Sequence, residues 1–211
     1  MSSLAQYKTD ISNAAAKLNQ EKFNQDVKQI NNEQIVGSPY LEKEFKPALI
    51  IKTDESEIRH FALRYNVYKN SMEFKQKETV LFIADPGSIS KIILDHRTFV
   101  YALYTDSRKI RLSYFQLLAD GKYQLLKKYN TAYDLGEPKS NIPPKFEERQ
   151  PGFYLRYKSG MAYQIRSKKE LTKILQPISA EITAYLQQIK INFHDEAELV
   201  NTLIYINKSG N

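Results

Sequence analysis

Hydrophobic and polar positions along this chain follow two periods, and the change from one to the other marks its organisation. Residues 4 to 34 place Leu4, Ile11, Ala15, Leu18, Phe23, Val27 and Ile30 among Gln, Asn, Lys and Glu. Steps of three, four and seven predict an amphipathic helix with a narrow apolar stripe. It ends at Gly37-Ser38-Pro39, where glycine permits a left-handed cap and proline cannot continue the ladder. Beyond this break the period falls to two. Leu63, Tyr65 and Val67 alternate with Arg64, Asn66 and Tyr68, then a turn at Asn70-Ser71 leads into Met72-Glu73-Phe74.

Further strands are predicted at Ala48 to Ile51, Thr79 to Ala84, Ile89 to Leu94 and Phe99 to Tyr104. Turn-rich segments separate them, which predicts a meander of antiparallel neighbours. Asp120-Gly121, between Ile110 to Leu118 and Lys122 to Tyr129, predicts a two-residue primed turn. A second hairpin surrounds Ser159-Gly160. Between the two hairpins, residues 134 to 151 hold four prolines and predict an extended crossing rather than a strand inside a sheet. After Arg166 the helical period returns. Ser167 with Glu170, Ser179 and Asp195 are placed to open three helices.

The fold class that follows is α+β: an antiparallel β-meander, curved or half-barrel-like, with an N-terminal amphipathic helix and a C-terminal helical cap. Its parts are a helical segment over 1–36, a β domain over 37–166 and helices over 167–211 that pack on the sheet.

Composition adds bounds to this picture. The chain has 211 residues, 42% of them hydrophobic and 12% aromatic, enough for a sizeable core. No apolar run reaches the roughly 18 residues that a spanning helix needs. Cysteine is absent, which excludes disulfides and thiolate metal sites. The net charge of +7 is dispersed in ones and twos, so it reads as a solvated basic surface rather than a nucleic-acid arm. Nucleic acid is therefore not an expected partner.

Candidate chemistry is sparse. His60, His96 and His194 lie in separate segments and read as turn or cap residues, and no nucleophile elbow or phosphate-cradling glycine loop is present. Carboxylates leave no signature of their own, so Asp54, Glu55, Glu57, Glu73, Asp85 and Asp106 stay open as residues that could converge. No cofactor or metal is expected. Fifteen tyrosines and ten phenylalanines are the distinctive positive feature, several beside cations as in Arg64-Tyr65 and Tyr68-Lys69. Such residues stack ligands or simply pack a sheet.

The order Gly37-Ser38-Pro39-Tyr40-Leu41, then Leu63 to Tyr68 with Met72-Glu73-Phe74, then Phe99-Val100-Tyr101, resembles a family of cell-envelope proteins from Bacteroidetes. The helical end from Lys168 onward is similar as well. The resemblance covers most of 37–207 and carries over no activity or site residues. Members begin with a secretion signal, which implies a periplasmic or exported protein if such a signal has been removed, and a cytoplasmic one otherwise.

Together these readings point to a non-catalytic binding or assembly component of a larger envelope complex. The alternatives are a carrier of lipid or another apolar ligand in a half-barrel cavity and, third, a carboxylate-dependent hydrolase. The expected contact residues are Leu4, Ile11, Leu18, Phe23 and Val27 on the N-terminal stripe, with Arg64, Tyr65 and Tyr68 on the sheet. The proline-rich crossing is the second expected partner surface.

Overall fold

The computed structural model describes residues 35–106, 109–137, 142–175 and 178–209. The predicted helix over 4–34 and its contact residues Leu4, Ile11, Leu18, Phe23 and Val27 lie outside them. The fold is α+β, mostly antiparallel sheet, with three helices at the C-terminal end. It divides into two compact units, residues up to 101 with 129–150, and 102–128 with 151–211.

The first unit contains β1 (Lys46–Lys52), β2 (Glu57–Asn66), β3 (Ser71–Gln76), β4 (Thr79–Phe82) and β5 (Ile89–Leu94). It also holds the first half of β6 (Arg97–Asp106). Their order is β6-β5-β1-β2-β3-β4. A plain meander would set β5 beside β4. Instead β5 returns to β1, with Ile51 opposite Lys91 and Ala48 opposite Leu94.

This return bends the sheet. Phe82 sits level with Glu73 and Arg64, near the start of β1, whereas Ile89 faces Lys52 at its end. In a flat sheet those points would be roughly 28 Å apart, from strand spacing and rise. The seven residue steps between them span at most roughly 25 Å fully extended. Part of that length is coiled into a 3-10 turn at Pro86–Ser88, so the strands must curl to bring β4 and β5 together.

One turn forms where the sequence places it, and the local chemistry departs from the sequence reading at two other places. The two-residue turn with both φ values positive is Asp95-His96 (47° and 66°), closing Leu94 on Arg97. His60 (φ 61°) lies in a β-bulge, where Arg59 and His60 together oppose Leu49. The β2–β3 turn occupies 67–70 rather than Asn70-Ser71, since Asn66 already pairs with Ser71.

The second unit takes the rest of β6, then β7 (Lys109–Ala119) and the first half of β8 (Tyr123–Asp134). It adds the second half of β9 (Lys145–Tyr157) and β10 (Ala162–Gln164). These run β6-β7-β8-β9-β10, and a parallel bridge from Ala162 to Tyr104 closes the ring into a small barrel. Outside it pack α1 (Lys168–Ile174), α2 (Ala180–Gln188) and α3 (Glu196–Ser209).

Their predicted caps form: Ser167 accepts from Glu170, Ser179 from Ile182 and Asp195 from Glu198. Leu171, Leu199, Leu203 and Ile206 meet Leu125, Phe153, Leu155 and Ile165 in one apolar cluster. Alternation turns Tyr154 the other way, where its ring meets Tyr104 and Phe115 edge to face at 5.6 and 5.2 Å. Five strands enclose little space, and rings fill it.

Two predictions about this unit need correcting. Residues from Lys145 onward are strand, not crossing, and Pro151 lies inside β9. Among the described residues β10 pairs with β9 over Tyr154–Arg156, so the missing amide of Pro151 breaks no bond of that ladder. The Asp120-Gly121 connection is not a two-residue primed turn, because Asp120 keeps negative φ and a bulge sets Ala119 opposite Leu125. What fixes it is tertiary. The Asn207 side chain of α3 accepts from the Tyr123 amide (2.9 Å) and donates to its carbonyl (2.8 Å).

A Cβ on Gly121, at φ +154°, would stand 2.7 Å from Asn207 Cγ. Gly121→Val is therefore expected to cost on the order of 1 kcal/mol or more, read as a fall in Tm of about 3 °C. In an Asn207→Ala background the further loss should shrink, since the side chain it strikes is gone. Equal losses in both backgrounds would reject the clamp.

Burial pushes the Tyr154 hydroxyl up to about 12, and Tyr104 and Asp106 add to the effect. The unfolded phenol ionises near 10, so the native state holds its proton longer and stability falls as pH rises between these values. The expected loss is about 2 to 3 kcal/mol. Denaturation across that range, compared with Tyr154→Phe, checks it: the variant should give the flatter profile.

Candidate functional site

Arg64 of β2 and Glu73 of β3 are cross-strand partners, both largely buried. The guanidinium donates through Nε (3.0 Å) and its second nitrogen lies 2.9 Å from the same carboxylate oxygen. Glu73 accepts a further bond from Asn66 Nδ2 at 2.8 Å, and Asn66 in turn accepts from the Lys69 amide. Both carboxylate oxygens of Glu73 thus face a donor, the condition under which a buried ion pair holds.

Arg64 also reaches out of the sheet. Its guanidinium lies 3.7 Å over the Tyr40 ring, 4.5 Å from that of Phe45, and donates to the Tyr40 hydroxyl at 2.8 Å. Burial, then the Glu73 charge, raises the Tyr40 hydroxyl above the usual phenol range. Burial also lowers the Lys69 ammonium, against an opposing pull from Glu73.

This cluster anchors the loop over 37–45, which the Gly37-Ser38-Pro39 break begins. The Pro39 carbonyl accepts from the Val67 and Tyr68 amides, and Leu41 donates to the Tyr65 carbonyl. Upstream, Val36 bridges to Lys145 at the start of β9. Gly37 (φ +82°) passes so close that a Cβ would stand 2.1 Å from the Phe146 carbonyl oxygen. Only glycine fits there.

Between this loop and the first-unit parts of β8 and β9 lies a cleft of about 230 Å³. Gly37, Ser38, Tyr40 and Leu41 form one wall with Val67. Tyr129, Asn130 and Thr131 of β8 with Phe146 and Glu148 of β9 form the other. The second wall is held by its own bonds: Asn130 donates to the Gln150 carbonyl and Thr131 to that of Glu147, each at 3.1 Å. Behind it, Phe146 packs on Tyr133 and Tyr68, with ring centroids 4.7 and 5.3 Å away.

The expected contact residues are placed around this cleft rather than in it. Tyr65 is 2% exposed, its ring tilted against that of Phe99 with centroids 5.6 Å apart, its hydroxyl donating to Asn70. Arg64 is spent on Glu73 and Tyr40. Tyr68 belongs to the aromatic group behind Phe146. From the proline-rich segment, Phe146 and Glu148 do reach the site. Asn130 and Thr131 were not singled out in the sequence, where Ser38 figures only in the helix-ending break and Tyr129 only as the end of a strand, and only the pairing of β8 with β9 could have set the strand residues beside the loop of Ser38.

The open carboxylates do not converge. Asp54 caps its own turn, where hydrogen bonds from Ser56 hold it below the usual carboxylate range. Glu55 takes positive φ in that turn, and Glu57 pairs with Arg59. Asp85 caps the 3-10 turn and Asp106 pairs with Arg111 at 3.2 Å. Among the described residues no three His, Cys, Asp or Glu side chains could hold a metal ion, and no helix is long and apolar enough to cross a membrane. Set against protein-family models, curated proteins and solved structures, the chain matches none of them.

Arg64→Met should cost about 3 to 5 kcal/mol by leaving Glu73 buried without its partner. Replacing both with methionine should recover much of that loss. Urea denaturation of the three variants checks this, and hydrogen exchange should quicken over 39–45 in the single variant. A double variant as unstable as the single one would mean that the pair is not what matters.

Proposed function

We propose that this protein is a non-catalytic binding or assembly component of the cell envelope, and that the cleft between the 37–41 loop and the β8–β9 pair is where it meets its partner. The observation that carries the reading is the cleft itself. Its walls are fixed by backbone bonds and a buried ion pair, so little order has to be created on binding.

Size and chemistry support a protein partner over the two alternatives. About 230 Å³ falls below the roughly 300 to 1,000 Å³ of pockets that engulf a drug-sized ligand, and suits a single inserted side chain. One carboxylate, Glu148, lines it, whereas hydrolysis by a carboxyl pair takes two. A lipid carrier needs a hollow apolar interior, and the rings of Tyr104, Phe115 and Tyr154 occupy the barrel of the second unit. The likeness of the 37–41 and 63–74 segments to envelope proteins supports the location.

A photoreactive residue at Thr131, in the cleft, and another at Lys77, in the remote β3–β4 turn, test this in cells of the native host. A discrete crosslinked protein from position 131 alone, in the envelope fraction, is expected. Crosslinks from neither position, or recovery solely from cytosol, would overturn the proposal.

A further inference from the structure

Strand alternation divides the charges at the start of β9 unevenly. Lys145, Glu147 and Arg149 share one face, and Glu147 there pairs with both cations, at 3.8 Å to Lys145 and 2.7 Å to Arg149. Phe146 and Glu148 point to the other face and line the cleft. Glu148 is exposed, and no described cation pairs with it. In a chain of net charge +7, this leaves one uncompensated anion among aromatic walls, with no cationic residue lining the cleft.

From this juxtaposition we infer that the cleft takes a basic side chain, a lysine ammonium or arginine guanidinium presented by a partner protein, held by Glu148 and the aromatic rings around it. The inference rests on the binding role proposed above and names the chemistry of the partner. Three features favour it over a neutral or anionic group. A carboxylate attracts a cation, and the faces of Tyr129 and Phe146 carry the negative side of their quadrupoles. The protein already uses that arrangement internally, where Arg64 lies over Tyr40 and pairs with Glu73. The volume accommodates an alkyl stem with its charged head, so the stem's methylenes can lie on apolar wall while the head reaches the rim.

The test is a heteronuclear NMR titration of the intact protein at low salt with Nα-acetyl-lysine amide, Nα-acetyl-arginine amide, uncharged Nα-acetyl-norleucine amide, propylamine and a lysine-bearing peptide. Shifts of the Gly37, Thr131 and Phe146 amides with the basic amides are expected, weakening with salt. Glu148→Gln should reduce affinity about twofold to fivefold, as loss of one exposed charge contact does. Glu147→Gln, on the opposite face, should leave it unchanged.

Equal shifts with norleucine amide, or an unaffected Glu148→Gln variant, would overturn the inference. Propylamine binding as tightly as the lysine-bearing peptide would overturn the assignment to a partner's side chain. A crosslinked partner whose capture at position 131 survives Glu148→Gln would reject this chemistry while leaving the binding role standing.

Discussion

The Arg64–Glu73 ion pair is the constraint around which the first unit is arranged. Neither residue could be buried alone, because an unpaired charge in an apolar setting costs several kcal/mol. Buried together, they fix β2 against β3, hold the following turn through Asn66, and fasten the loop over 37–45 through Tyr40. The cleft exists because that loop is fastened. Its position relative to Phe146 is set to within a methyl group by the passage of Gly37, so the polar network and the steric limit act on the same wall.

Much of the local structure was legible in the chain. Capping residues at Ser167, Ser179 and Asp195 act through neighbours three residues away, and such short-range chemistry is written into the sequence. Strand positions followed from the two-residue period for the same reason. What the sequence could not disclose depends on contacts between distant segments. The return of β5 to β1 is a property of the sheet's curvature, not of the turn residues between β4 and β5. Pro151 was read by its usual exclusion from ladders, which does not apply where the neighbouring strand is only three residues long. At Asp120-Gly121 a helix residue more than eighty positions away, Asn207, fixes the turn against the preference of the dipeptide.

The site was the least legible part. Aromatic residues beside cations in sequence drew attention to Arg64, Tyr65 and Tyr68, yet strand neighbours point to opposite faces, and all three are spent on packing or on Glu73. Glu148 stands between Glu147 and Arg149 and looks, along the chain, like one more charge in a mixed run. Its separation from both is visible only once the strand assigns them to different faces.

The Asn207 clamp on the β7–β8 turn bears on how the chain is made. A ribosome delivers residues in order, and all the strands of the first unit have been synthesised once Gln150 has emerged. The second unit then still lacks Leu199, Leu203 and Ile206 from its apolar cluster and the side chain that holds the Tyr123 backbone. Its strands β7 and β8 thus wait, uncovered on the face that the helices will occupy, through the synthesis of more than fifty further residues. Until α3 has been made, the hairpin stays unclamped and the apolar face of its strands stays open to neighbouring chains.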